Sequence, residues 1–292
     1  MVWIEQKVIN MLAQSKDTDV KIEKILISMI RQESIAKRAS RMCSLSQTTQ
    51  QLSRRAIKRA HPTFNEQQLK QLFIKYIYGL DVSESFCHYF NKKPQQAMKK
   101  SDIIEAAHPI AKAFDELGIC YYIGGSVASS VYGFPRSTQD IDMVTDLKLQ
   151  HVSPLVEKLS SAYYIDKDMI LEAINTKISF NLIHLDTMIK IDIFQTKDAP
   201  YHRSVFQRRK KDTLDAEDEN ALKFYLASSE DIILNKLDWF RIAGYISEQW
   251  RDIQGVLKIQ QESLDIQYLF SWAKELELTE LLEKACFEAG HQ

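Results

Sequence analysis

The sequence predicts an α+β chain, with helices at both ends and a strand-bearing middle. Three observations carry that expectation. Residues 1–61 contain neither Gly nor Pro and place apolar residues at helical spacing. From Cys120 to Met143, an apolar run, a glycine pair, a helix-length stretch and a second apolar run follow one another. From Met188 to Phe194, apolar and polar residues alternate strictly, the period of a half-buried strand.

The first part, residues 1–93, reads as an all-helical module. Val2 to Leu12 and Val20 to Ile35 are amphipathic, the second with Ile22, Ile25, Leu26, Met29 and Ile30 on one stripe. A basic region follows through Lys37-Arg38, Arg41, Arg54-Arg55 and Lys58-Arg59, and His61-Pro62 ends it. Thr63 to Glu66 has the form of a capping box for a helix through Leu69, Leu72, Phe73 and Tyr76 to Gly79. A short helix is expected from Ser83 to Phe90. The polar, proline-marked stretch Asn91 to Gln96 marks a boundary, with 94–100 as linker.

The second part divides into a strand-bearing core, 101–226, and a helical segment, 227–292. Met98 to Leu117 is expected to be helical and broken or kinked at Pro109. Cys120 to Ile123 forms a strand. Gly124-Gly125 then let the backbone turn and approach a ligand closely. Ser126 is placed as the N-cap of a helix through Val131, whose free N–H groups suit a phosphate. Ser153-Pro154 opens another helix. Ile178 to Leu185 and Met188 to Phe194 form a hairpin, and Leu222 to Leu226 a further strand. Helices are expected over Ser229 to Ala243, Ser247 to Ile259, Asp265 to Leu276 and Thr279 to Ala289.

Composition excludes some classes. With 45% apolar residues the chain buries a sizeable core. No apolar run approaches the ~20 residues of a membrane span. The start lacks the basic-then-apolar pattern of a secretory signal. Cys43, Cys87, Cys120 and Cys286 are scattered, which argues against a zinc site or disulfide framework and for a reducing cytoplasm. The net charge of −1 hides an asymmetry. Residues 1–100 carry 18 Lys/Arg and 8 Asp/Glu, whereas 101–292 carry 20 and 31. Two modules of opposite sign follow from that split.

The chemistry gathers on the strands. Asp140 and Asp142 share one strand face while Ile141 and Met143 share the other. Adjacent carboxylates repel unless a cation lies between them, and hard oxygen ligands select Mg²⁺ or Mn²⁺. Asp192 and Lys190 occupy the polar face of the later strand. A phosphate-binding glycine turn, paired acids and a third strand acid together describe a two-metal phosphoryl or nucleotidyl transfer site. Each residue also has a plainer reading. The acids can be solvated or salt-bridged, Gly124-Gly125 a tight turn, and Arg136 a surface ion pair. Lys190 can contact a triphosphate or neutralise the acids. Trp239, Trp250 and Trp272 read as core, and His184 as structural. Arg208 to Lys211 can approach an anion or form a solvated edge strand.

Gly124-Gly125-Ser126, thirteen residues, Asp140-Ile141-Asp142, then Asp192 on a strand resembles the DNA polymerase β superfamily of nucleotidyltransferases, at the long end of its usual spacing. Phe134 to Asp142, Ser179 to Leu185 and Ala227 to Leu237 resemble small bacterial members of the abortive-infection AbiEii and minimal-nucleotidyltransferase type, over roughly Ser101 to Gln292. The resemblance implies a mixed sheet with flanking helices and transfer of an NMP from an NTP to an acceptor such as a tRNA or a protein hydroxyl. It implies Asp140, Asp142 and Asp192 as ligands of Mg²⁺ or Mn²⁺, with Asp192 receiving the acceptor's proton. Gly124, Gly125 and Ser126 would then seat phosphates, with Arg136, Lys190 and Lys236 beside the nucleotide. Arg251-Asp252 resembles a recurrent element of the family. The same branch implies a toxin–antitoxin setting, in which the chain is the transferase or a non-catalytic, antitoxin-like partner. The basic helices are expected either to dock on the core or to bind nucleic acid.

Overall fold

The computed structural model describes residue 13 and residues 18–79, 101–216 and 222–290. The expected helices over 2–12 and 83–90, the boundary at 91–96 and the linker 94–100 lie outside the described residues. The described residues form twelve α-helices and one seven-stranded mixed sheet.

The chain opens with α1 (Val20–Arg31), α2 (Ile35–Ala60) and α3 (Glu66–Tyr78). Ser34 accepts the Lys37 N–H and starts α2, so α1 stops at Arg31 instead of reaching Ile35. Asn65, not Thr63, caps α3: its side chain accepts the Gln68 N–H, and Gln68 returns the bond. Of the stripe expected on α1, only Ile30 lies on the face that packs. Ile22, Ile25, Leu26 and Met29 are exposed, and the buried side is Glu23, Ile27 and Ile30. A charged residue inside the packing face hid that face from an apolar count.

The middle begins with α4 (Asp102–Leu117), one continuous helix through Pro109. An internal proline costs about 3 kcal/mol. Burying Ile103, Ile110 and Phe114 offsets it, at roughly 1.5–3 kcal/mol each. Then follow β1 (Tyr121–Ile123), α5 (Gly125–Tyr132), β2 (Asp140–Thr145), α6 (Val152–Leu159), β3 (Tyr163–Tyr164), α7 (Lys167–Thr176), β4 (Ser179–His184), β5 (Lys190–Gln195), α8 (Pro200–Arg208), β6 (Lys210–Thr213) and β7 (Lys223–Leu226). The last segment is α9 (Ser229–Ile242), α10 (Ser247–Gln260), α11 (Ile266–Glu275) and α12 (Thr279–Ala289).

The strand order is β3-β4-β5-β2-β1-β7-β6. The β2–β5 and β1–β7 pairs are parallel and the others antiparallel. Ile141, Met143, Ile191, Ile193, Phe180 and Leu182 are buried in the main core, which leaves the polar residues of β2, β4 and β5 on the opposite face. The helix α10 comes so close to the end of α5 that a Cβ on Gly133 would lie 2.8 Å from the Val256 N.

The N-terminal helices share this core. Ala39, Met42 and Cys43 of α2 belong to the main apolar cluster. Ile57, Phe73 and Ile74 pack on Ile183 and Met188 of the β4–β5 hairpin. Ile27 and Ile30 meet Ile259 of α10, beside an ion pair of 2.7 Å between Glu23 and Lys258. His184 is held by Thr187 within the hairpin. Trp250 and Trp272 are partly buried, but Trp239 is 53% exposed and so departs from the core reading. Among the described residues no helix is long and apolar enough to cross a membrane.

Candidate active site

The turn after β1 is built around Asp142. The Gly124 N–H donates to the Asp142 carbonyl at 2.9 Å, which ties the turn to β2. Gly124 occupies the N-cap position expected for Ser126, and Gly125 enters α5 at φ +52°. A Cβ on Gly125 would lie 1.6 Å from Asp142 Oδ2. Glycine is required there both by the left-handed backbone and by the carboxylate beside it. The Ser126 N–H donates to that same carboxylate. The helix N-terminus read as a phosphate seat therefore already faces an anion, supplied by the protein.

Register brings the acids together. In the parallel β2–β5 pair, Asp142 stands opposite Asp192 and Asp140 opposite Lys190, and Asn181 of β4 stands opposite Asp192. All five share the polar face. Each acid has its own partner: Thr138 Oγ1 donates to Asp140 Oδ1 at 3.1 Å, the Ser126 N–H to Asp142, and Lys190 Nζ lies 2.8 Å from Asp192 Oδ2. Burial, with the charges of Asp140 and Asp192, pushes the Asp142 carboxyl up to about 7. Burial also raises Asp192, against the opposing pull of Lys190. Among the described residues no three Asp, Glu, His or Cys side chains are gathered into a ready metal cage. The donor set still suits a hard divalent cation: carboxylate oxygens on adjacent strands, close enough to repel one another, a repulsion that such a cation relieves.

Next to the acids, two cations converge on Asp252 of α10. Arg136 bonds it through Nε and Nη2, both at 2.8 Å, and Lys236 Nζ lies 2.8 Å from Oδ2. Arg136 also reaches Glu248 at 2.8 Å and donates to Ser126 Oγ at 2.7 Å. Ser129 Oγ donates to Asp252 as well. Burial alone would raise the Asp252 carboxyl, but Arg136 and Lys236 outweigh it and hold it below the usual carboxylate range. The structure thus brings Gly124, Gly125, Ser126, Arg136, Asp140, Asp142, Lys190, Asp192 and Lys236 into one neighbourhood. Lys190 does the neutralising, and Arg136 and Lys236 are held by Asp252.

Sequence reasoning missed Asp252 as the hub, together with Glu248, Asn181 and Tyr78. Asp252 carried a signal in Arg251-Asp252, and Asn181 lay on a recognised strand. Nothing in α3 set Tyr78 apart from its apolar neighbours. The Arg208 to Lys211 cluster lies elsewhere: Arg208 pairs with Glu230 at 3.1 Å and stacks on Tyr268, and Lys210 and Lys211 are exposed on the edge strand β6. A cavity of about 520 Å³ is lined by Lys24, Ile27, Arg31, Lys258 and Gln261, and none of the acids lines it.

No protein-family model matches the chain, and no curated protein matches it. Among solved structures it is similar to an antigenic nucleotidyltransferase-like protein from Paracoccidioides brasiliensis, at 20% identity and a TM-score of 0.40, over 65% of this chain and 94% of that one. It is similar to the antibiotic-resistance factor ANT(2'')-Ia at 15% identity and a TM-score of 0.40, over 62% of this chain and 95% of that one.

Proposed function

We propose that the chain is a metal-dependent nucleotidyltransferase that moves an NMP from an NTP to an acceptor hydroxyl. The observation that carries this reading is the parallel β2–β5 pair. It sets Asp140, Asp142 and Asp192 on one face, with the Gly124-Gly125-Ser126 turn against Asp142. Asp140, Asp142 and Asp192 would hold Mg²⁺ or Mn²⁺, which when bound neutralises phosphate charge and lowers the acceptor's pKa. The protein's own part is positioning and charge. The glycine turn and Ser126, which hold Asp142, would border the phosphates, with Arg136 and Lys236 beside them, oriented by Asp252. The acceptor oxygen attacks the α-phosphorus and pyrophosphate leaves. Asp192, whose proton affinity burial raises, accepts the acceptor's proton.

A tRNA end or a protein hydroxyl is the proposed acceptor class, in the toxin–antitoxin setting that the sequence resemblance implies. A second reading is favoured by the partners already on the acids and by the hold of Asp252 on both cations: a non-catalytic, antitoxin-like binding protein that keeps the site's form. One experiment separates the two. Purified protein and an Asp142→Asn variant are incubated with labelled NTPs, Mg²⁺, total RNA and lysate proteins. Label transferred by the wild type alone supports transfer. No label from either protein, with NTP binding retained, supports the second reading.

A further inference from the structure

We infer that Tyr78, at the end of α3, is a positioning residue of the acid site, so that the N-terminal helices help to build that site. This rests on the reading of Asp140, Asp142 and Asp192 as ligands of a divalent cation. The Tyr78 hydroxyl lies 2.9 Å from the carbonyl of Gln139 and 2.9 Å from that of Met188, and donates its single proton between them. Gln139 directly precedes Asp140 at the start of β2. Met188 lies two residues before Lys190 at the start of β5, in a left-handed backbone conformation at φ +59°. The Lys190 N–H donates back to the Tyr78 oxygen at 3.4 Å. One hydroxyl from outside the sheet therefore fastens the entry to both strands that carry the acids.

The charges agree with that placement. Lys190 Nζ, which pairs with Asp192, lies 5.8 Å from the centre of the Tyr78 ring. A second contact works on the same segment: Ser46 of α2 accepts the Thr138 N–H at 2.9 Å, and Thr138 Oγ1 holds Asp140. Thr138, Gln139 and Asp140 are thus fixed in succession by α2, by α3 and by each other. The ring of Tyr78 packs with Ile57, Phe73 and Ile183, so removing only the hydroxyl leaves the packing in place.

The test uses the full chain. Mn²⁺ binding is measured by electron paramagnetic resonance with and without ATP, and amide hydrogen exchange is followed at residues 138–142 and 188–192. The proteins compared are wild type, Tyr78→Phe, Ser46→Ala and Ile57→Val, which trims the same apolar cluster without touching the hydroxyl. The expected result for Tyr78→Phe is Mn²⁺ affinity about tenfold weaker and faster exchange at both strand starts, since sub-ångström misplacement of ligands is costly. Ile57→Val lowers the melting temperature but keeps wild-type Mn²⁺ affinity. Wild-type affinity and exchange in Tyr78→Phe overturn the inference alone. Failure of the wild type to bind Mn²⁺ overturns the reading of the acids, and the inference with it.

Discussion

Replacing Gly125 with Ala tests how closely the turn and the acids are fitted. The added Cβ would sit 1.6 Å from Asp142 Oδ2, 2.5 Å from its Cγ and 2.8 Å from its Cβ. Real Cβ contacts are not shorter than 3.0 Å, so the oxygen must retreat by at least the difference of 3.0 and 1.6, or 1.4 Å. The backbone at φ +52° adds about 1–2 kcal/mol for any residue with a Cβ, and crowding a packed site adds about 1–3 kcal/mol. The sum, roughly 2–5 kcal/mol, is less than the ~5–15 kcal/mol that holds a domain folded. The variant should fold, melt several degrees lower and lose Mg²⁺–NTP binding because Asp142 has moved. Gly244→Ala is the control: φ is +79°, but nothing lies within 4 Å of the added Cβ. It incurs the backbone cost without the collision. Differential scanning fluorimetry with and without MgATP reads both effects. Equal melting shifts in the two variants, with wild-type ATP stabilisation in each, would refute the fit of Gly125 to Asp142.

Three further outcomes follow from the same geometry. The Asp142 carboxyl, raised by burial and by its acidic neighbours to about 7, contributes stability that is full below its unfolded pKa of about 4 and lost as pH rises through about 7. Without metal, Asp142→Asn should match the wild type near pH 4 and melt higher above pH 7; a variant that gains nothing at pH 8 contradicts the assignment. Asp252→Asn leaves the nearly buried Lys236 facing a neutral amide, while Arg136 keeps Glu248, and should cost about 3 kcal/mol by urea denaturation; a loss below 1 kcal/mol would show that the hub is weak. If the exposed cations Arg55, Lys58 and Arg59 at the end of α2 meet an RNA backbone, reversing all three should reduce the slope of log affinity against log salt by roughly 2–3. An unchanged slope removes that surface from the RNA reading.

The elements that sequence made legible are those whose pattern repeats. The alternation in β2 and β5 placed each acid on the right face, and the glycine pair marked the turn. Their register was not legible. That Asp142 stands opposite Asp192 depends on the strand order β5-β2-β1, which no local period encodes. The short elements β3, α7 and α8 were also missed, whereas β6 is the solvated edge strand that was one reading of Arg208 to Lys211. Each missed element is held by a few long-range contacts, such as Tyr201 and Val205 of α8, not by a long amphipathic face. At Gly125 the sequence suggested the right residue for an incomplete reason. Close approach is needed, but what approaches in this structure is the Asp142 carboxylate.

The opposite net charges of the two halves invited the idea that attraction joins them, and the contacts point to a different cause. Where α1 meets α10, the ion pair has its acid on the basic half and its lysine on the acidic half, Glu23 with Lys258. Arg38 donates to the Val131 carbonyl and Arg54 to that of Thr187, so two cations of the basic half contact backbone oxygens. The junction also carries neutral hydrogen bonds, from Tyr78 to the carbonyls of Gln139 and Met188 and from the Thr138 N–H to Ser46, and apolar packing of Met42, Cys43, Ile57, Phe73 and Ile74 against the core and the hairpin. An interface of that kind holds through burial and hydrogen bonds, which salt screens little. It leaves Arg55, Lys58 and Arg59 facing outward from helices whose other faces reach the acid site. Net charge summed over a segment does not reveal which side chains lie at a junction. Here the helices pack largely through apolar side chains and neutral hydrogen bonds, and Arg55, Lys58 and Arg59 stay exposed.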